Sequence, residues 1–141
     1  MDSPIYGDSR LTARMVGCDP ADVGSIPAYH PKGAIMRIML KSKIHGIKVT
    51  DVNEHYDGSI TIDSDLLQRA EILEYEQIHV LDVTNGKRFI TYAIAGGKDA
   101  CCVNGAAARL VEFGDELIIL AYGIYDYGFF DGSNRPKIVK I

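Results

Sequence analysis

From Met36 onward the chain alternates short apolar runs with turn-forming clusters, at strand length rather than helix length. Residues 37–41 and 46–50 are strand candidates, rich in isoleucine, methionine and valine. Asp63 or Ser64 is placed to cap a short helix over residues 65–70, because either side chain can accept from a first-turn amide. Residues 77–83 read as a strand, Thr84-Asn85-Gly86-Lys87 as a tight turn and residues 88–95 as the returning strand. Asn-Gly between two such runs is a strong hairpin signal. Residues 105–110 form an alanine-rich helical turn, and residues 116–124 are an apolar strand. Many short strands with two small helices predict a mainly β fold closed as a barrel.

Residues 1–35 read differently. They hold Pro4, Pro20, Pro27 and Pro31, several glycines and no sustained periodicity, so an N-terminal extension of poor order is expected, followed by one domain over residues 36–141. At 141 residues and 47% hydrophobic content, one domain with a real core is the natural outcome. A net charge of -4 and a pI near 5.5 argue against a nucleic-acid or anionic-membrane partner. No apolar run approaches the roughly 20 residues that span a bilayer. The N-terminus also lacks the apolar stretch of a secretory signal. Cys101 and Cys102 are adjacent and Cys18 stands apart, an odd set that fits no disulfide framework. A reducing cytoplasm is the expected compartment.

The candidate chemistry sits at Gly58-Ser59. A serine hydroxyl can attack the preceding peptide carbonyl and exchange the amide for an ester. If that ester eliminates across the former serine, hydrolysis leaves a chain end carrying a ketone, a pyruvoyl group, which forms a Schiff base with an amine substrate. The dipeptide alone is weak evidence. Gly24-Ser25 and Gly132-Ser133 are also present, and Gly-Ser usually marks an ordinary turn.

The surrounding motifs change that balance. Met39-Leu40-Lys41-Ser42-Lys43-Ile44-His45 and Lys48-Val49-Thr50 lie upstream of His55-Tyr56-Asp57-Gly58-Ser59. Val83-Thr84-Asn85-Gly86-Lys87-Arg88-Phe89, Thr91-Tyr92-Ala93-Ile94 and Val103-Asn104-Gly105-Ala106-Ala107-Ala108 follow. In this order and spacing the set resembles the pyruvoyl-dependent L-aspartate 1-decarboxylases, from about Ile35 to near the C-terminus. The resemblance implies a six-stranded double-psi β-barrel with short helices, self-cleavage between Gly58 and Ser59, and a covalently bound pyruvoyl group derived from Ser59. It implies neither a metal nor pyridoxal phosphate. The implied reaction converts L-aspartate to β-alanine and CO2 for pantothenate and coenzyme A synthesis. A homotetramer with sites between subunits is implied too, and room is left for a maturation factor.

Each site residue has a chemical rationale beside the resemblance. Arg88 is the candidate clamp, since a planar guanidinium grips a carboxylate bidentately; an exposed strand-edge arginine is the plain reading. Lys43 matches a second cation of the family's site. Tyr92 matches the proton donor. Thr91 matches the threonine whose hydroxyl stabilises the oxyanion of self-cleavage. Alternation along a strand sends Thr91 and Tyr92 to opposite faces, so a bulge or a neighbouring subunit has to reconcile the two roles. Asn104, Gly105, Ala106 and Ala107 could present backbone amides to a substrate carboxylate, or pack as a tight helix start. Tyr56 could wall the pocket or fill the core. His45, His55 and His79 show no metal-ligand spacing.

Three departures from the family pattern stand out. The stretch between Tyr92 and Asn104 is about two residues short, which trims a hairpin. Asp57 stands where glutamate is also common. Cys101-Cys102 fills a strand usually rich in isoleucine and reads as packing. Two rival functions remain open from residues alone: a self-cleaved enzyme that uses Ser59 as an N-terminal nucleophile for hydrolysis, and an uncleaved, non-catalytic β-barrel binding module.

Overall fold

In a computed structural model, residues 35–126, 133 and 135–141 are described. The extension expected to be poorly ordered, residues 1–35, lies outside the described residues except for Ile35. Residues Ile35–Ile141 form one compact unit.

The first strand, β1 (Met36–Lys48), joins the candidate over residues 37–41 to the first part of the candidate over residues 46–50, leaving Val49 and Thr50 outside it. It pairs antiparallel with β7 (Glu116–Asp126) along its whole length, with register shifts between Leu40 and Ser42 and between His45 and Ile47. Gly46 is the extra residue of the second shift and sits at φ +94, a conformation a side chain resists. The bulges let one long strand coil instead of breaking. Two residues beyond β1, β2 (Asp51–Asn53) pairs parallel with β6 (Cys101–Asn104).

That continuity closes the sheet. β6 pairs antiparallel with β3 (Ile60–Asp63), and β3 pairs parallel with β5 (Arg88–Gly96). β5 pairs antiparallel with β4 (Gln77–Asp82), β4 with β7, and β7 returns to β1. Counting the β1–β2 path as one strand, the ring has six members, with two parallel joints among antiparallel ones. This is the six-stranded double-psi β-barrel. Backbone bonds from Val49 to Asp115 (2.9 Å) and from Thr50 to Cys101 (2.8 Å) carry the seam across the β1–β2 junction. β8 (Lys137–Lys140), which the apolar pattern did not signal, adds parallel to β1 outside the ring.

Inside, Ile44 of β1, Ile60 and Ile62 of β3, Ile78 of β4, and Leu117 and Ile119 of β7 are fully buried, with Ala93 of β5 and Val103 of β6 beside them. Their alternation along the strands is why so few residues fill the barrel without a helix-sized core. The helix α1 (Ser64–Arg69) lies one residue earlier than its predicted span. Asp63 is its cap, accepting from the Asp65 amide at 2.8 Å. Its other oxygen accepts from the Asp99 amide at 2.7 Å. Those amides, Asp99 first, hold the Asp63 carboxyl below the usual carboxylate range. Among the described residues no helix is long and apolar enough to cross a membrane.

Candidate active site

Between β2 and β3 the chain reverses relative to β6, from parallel to antiparallel, in a short loop. Asn53 opens it by accepting the His55 amide on Oδ1 at 3.1 Å. The loop then tightens, with the Gly58 amide donating to the Tyr56 carbonyl at 2.6 Å across Asp57. Gly58 follows at φ +71 and Ser59 at φ +78. Glycine adopts this region freely, but in serine the Cβ crowds the carbonyl, at a cost of about 1–2 kcal/mol. Ser59 is 3% exposed, and its Oγ is buried without a hydrogen-bond partner. A hydroxyl left so costs about 1–3 kcal/mol. The nucleophile beside the Gly58 carbonyl is therefore strained, dry and unpaired.

Three other stretches hold this loop in place. The Asn104 amide donates to the Ser59 carbonyl at 2.9 Å. Gly105, at φ +62, lies so close that a Cβ there would stand 2.8 Å from Gly58 Cα and 3.0 Å from Gly58 N. Only glycine fits. From β5, Tyr92 Oη donates to the Asp57 carbonyl at 3.3 Å. Tyr75, itself at φ +67, sets its ring 6.3 Å from that of Tyr92, tilted by 40°.

Thr91 and Tyr92 do part to opposite faces. The β4–β5 register runs without a shift from Arg88 to Tyr92, so no bulge re-aims either. Thr91 pairs with the buried Ile78 and shares the inward face with Ala93. The parallel pairing of β3 with β5 begins at Ile60 and Ala93, so Thr91 comes just before that pairing on β5, as Gly58 and Ser59 do on the chain leading into β3. Tyr92 points outward with Ile90 and Arg88.

The two cations lie elsewhere on that outer face. Arg88 is four residues along β5 from Tyr92, about 13 Å at the ordinary strand rise. Lys43 stands in a row with Leu120, His79 and Ile90 across β1, β7, β4 and β5. The next row is His45, Ile118, Leu81 and Arg88. A cavity of about 250 Å³ between the rows is lined by His79, Leu81, Arg88, Phe89, Ile90, Leu120 and Tyr122. Within one chain, then, Ser59, Tyr92, Asn104 and Gly105 converge, while Arg88 and Lys43 stand apart from them.

Gly105–Leu110 is a 3₁₀ helix. Ala107 packs against the core and Ala106 is exposed. Asn104 precedes this helix in an extended conformation, and its side chain makes no cap bond to it. Instead its Nδ2 donates to Thr61 Oγ1 at 3.2 Å and its Oδ1 accepts from the Cys102 thiol at 3.1 Å. The packing role read for both cysteines holds for Cys101, which is fully buried, its thiol pushed up to about 12 by burial. Cys102 has a polar partner instead. Tyr56, at 53% exposure, is no core residue. Thr61 went unnoticed in the sequence, although the alternation of Ser59, Thr61 and Asp63 with two isoleucines placed it on the outer face. Among the described residues no three His, Cys, Asp or Glu side chains are grouped to hold a metal.

Comparison with known proteins gives the family of the chain. The aspartate decarboxylase family profile matches residues 35–141. The aspartate 1-decarboxylase of Syntrophobacter fumaroxidans is 51% identical over 114 residues, covering 72% of this chain and 92% of that protein. That of Moorella thermoacetica is 56% identical over 116 residues, covering 74% and 91%. That of Thermoanaerobacter pseudethanolicus is 53% identical over 110 residues, covering 76% and 92%. The chain belongs to the aspartate decarboxylase family.

Proposed function

We propose that the chain cleaves itself between Gly58 and Ser59 and then decarboxylates L-aspartate to β-alanine, the step that feeds pantothenate synthesis. The observation that carries this is Ser59: positive φ, burial, and an unpartnered hydroxyl next to the scissile carbonyl. Those features fit the precursor of a pyruvoyl group. Attack of Ser59 Oγ on the Gly58 carbonyl carbon breaks the C–N bond and makes an ester, relieving both the strain and the lost hydrogen bond. Loss of the Ser59 α-proton with the Gly58 carboxylate as leaving group, then hydration with release of ammonia, leaves the ketone.

The pyruvoyl group supplies an electrophile that takes the substrate amine and accepts the electron pair released with CO2. The chain's own residues do the rest. Thr91, on the inner face of β5 just before its pairing with β3, is the donor to the oxyanion of self-cleavage. Tyr92, on the outer face over the loop, holds the proton delivered to the carbon that CO2 leaves. Opposite faces thus suit two successive roles. Asn104 and the Gly105-Ala106-Ala107 backbone bind a substrate carboxylate. Arg88 and Lys43 bind charge from across a subunit contact, in a homotetramer with its sites between subunits. Exposed Ile38, Ile90, Tyr122 and Ile124 on the same outer face support that assembly.

Intact mass of the purified, denatured protein is the test. Two pieces, residues 1–58 and 59–141, are expected, the second lighter by one ammonia than a serine-started chain. A Ser59→Ala chain is expected to stay whole and inactive; full decarboxylase activity in that variant would refute the proposal. Tyr92→Phe should mature yet lose about 10²–10⁴-fold in kcat, the usual worth of a placed proton donor.

A further inference from the structure

We propose that Cys102, Asn104 and Thr61 form a hydrogen-bonded relay that fixes the Asn104 side chain beside the cleavage loop, making Cys102 and Thr61 positioning residues for the reaction. The inference rests on the reading of Gly58-Ser59 as the reactive bond, and adds two residues to it.

The strand register assembles the relay. Thr61 of β3 and Cys102 of β6 are direct antiparallel partners, so their side chains emerge side by side on one face. Asn104, two residues on, shares that face with Cys102. The intervening positions, Ile60, Ile62, Cys101 and Val103, all go fully into the core. The wall is therefore apolar inside and polar outside. Asn104 is only 3% exposed, so each of its polar atoms needs a partner from the protein. Its amide oxygen takes the Cys102 thiol at 3.1 Å, and one amide N–H goes to Thr61 Oγ1 at 3.2 Å. The backbone N–H of the same residue holds the Ser59 carbonyl at 2.9 Å.

The chemistry of the three groups sets the direction. Burial first, and then the nearby Asp51 charge, push the Cys102 thiol up, which keeps it the protonated donor. With the thiol donating to the amide oxygen, the amide nitrogen faces the Thr61 hydroxyl. One N–H goes to Thr61 Oγ1, and the second is left for a further acceptor. Without the thiol or the hydroxyl the side-chain amide could rotate, and the residue whose backbone N–H holds the Ser59 carbonyl would lose the single orientation of its side chain. An apolar residue of the same size at Cys102 would fill the space and leave that orientation undefined. The relay therefore requires a donor at position 102 and a hydroxyl at position 61, beyond what packing demands.

The test compares Cys102→Ala, Cys102→Ser, Thr61→Val and Thr61→Ser with the unaltered chain. Two quantities are read: the rate of self-cleavage by intact mass on freshly made protein, and kcat and KM of the matured enzyme. Loss of one relay bond is expected to slow cleavage about tenfold in Cys102→Ala and in Thr61→Val, with kcat falling more than KM rises. The serine variants, which keep a hydroxyl, are expected within about twofold of the unaltered chain. The double variant Cys102→Ala/Thr61→Val should fall short of the product of the two single effects, because both act through one amide. Equal slowing by Cys102→Ser and Cys102→Ala would reduce Cys102 to packing and overturn the relay. So would unaltered cleavage and kcat in Cys102→Ala and Thr61→Val. If the unaltered chain itself never cleaves, the reactive-bond reading fails and the relay goes with it. Cleavage of the unaltered chain with indifferent variants removes the relay alone. Matching melting temperatures for the alanine and serine variants ensure that folding is not what separates them.

Discussion

Of the tight turns in this barrel that contain a glycine at positive φ, two are built to opposite ends. In the hairpin between β4 and β5, Asp82 Oδ1 accepts from Thr84 and Asn85 amides at 2.8 and 3.2 Å. Asn85 Oδ1 accepts from the Lys87 amide at 2.8 Å, and its Nδ2 reaches the Leu110 carbonyl at 3.0 Å. Gly86 takes the positive φ of +75, and nothing crowds it. In the loop before β3, the positive φ continues from Gly58 into a serine whose hydroxyl has no partner. The first turn satisfies its backbone so that it persists. The second withholds a partner from the group that must react, and neighbouring backbone pins it in that state. Strain at a functional site survives only when surrounding structure over-determines it, and Asn104, Gly105 and Tyr92 supply that here.

The largest effect that would sharpen this contrast comes from equal changes at Gly86 of the hairpin and at Gly105, which packs against the cleavage loop. Gly105→Ala forces a Cβ to within 2.8 Å of Gly58 Cα, where no flexible side chain can yield. Self-cleavage is expected to slow by about 100-fold or more, the usual consequence of displacing a reacting group by an ångström. Gly86→Ala meets no atom within 4 Å and carries only the conformational penalty of its φ. It is expected to lower stability by about 1 kcal/mol and leave the cleavage rate alone. Time courses of intact mass and urea titrations check both. Normal cleavage in Gly105→Ala would show that the close approach does not position the bond.

A smaller effect isolates the strain. Ser59→Ala and Ser59→Gly both remove the nucleophile, so both remain whole and can be compared without cleavage. Glycine occupies φ +78 without the Cβ penalty, although it loses more freedom on folding. Net, Ser59→Gly should be the more stable by about 1 kcal/mol, several degrees in melting temperature for a domain of this size. Equal melting temperatures would mean that the backbone at Ser59 stores nothing.

Much of the fold was legible because it is local. Asn85-Gly86 announced its hairpin, Asp63 its helix, and isoleucine alternation the barrel walls. What escaped depends on pairing between distant segments. Gly46 resembles a strand breaker until β7 is known to run past it, where it becomes a bulge inside one strand. The barrel closes because β1 continues into β2, a fact carried by partners rather than by either segment. The site divides the same way. Ser59, Tyr92 and Asn104 were found through their motifs, yet nothing local to Ser59 signals its positive φ. Thr61 and Cys102 become partners of Asn104 only through the β3–β6 register. Arg88 and Lys43 fall on an outer face far along the sheet from Ser59, where alternation alone could not assign their target.

The smallest effect tests whether the persistent turn is as fully satisfied as its amide bonds suggest. Asp82 Oδ2 is buried without a partner, and Asp115 lies beside it, its own Oδ2 accepting from the Glu112 amide at 2.7 Å. Burial first, and then the Asp115 carboxyl, raise the Asp82 carboxyl above its ordinary value of 3.8. The folded chain thus keeps a proton that the unfolded chain releases. Stability from this group is fully present below 3.8, falls as pH rises toward the folded-state value, and is flat above it. Asp82→Asn keeps an oxygen for the Thr84 and Asn85 amides and offers an N–H to Asp115, with no proton to lose. In the uncleavable Ser59→Ala background, it should gain about 1 kcal/mol at neutral pH and little at the acid end. Urea titrations across that range check the sign. A loss of stability at neutral pH, or a pH profile parallel to that of the parent, would mean that the hairpin needs the Asp82 charge. The hairpin would then owe its persistence to a buried charge as well as to its amide bonds, and the contrast with the Ser59 loop would rest on the strained backbone at Ser59 rather than on side-chain satisfaction.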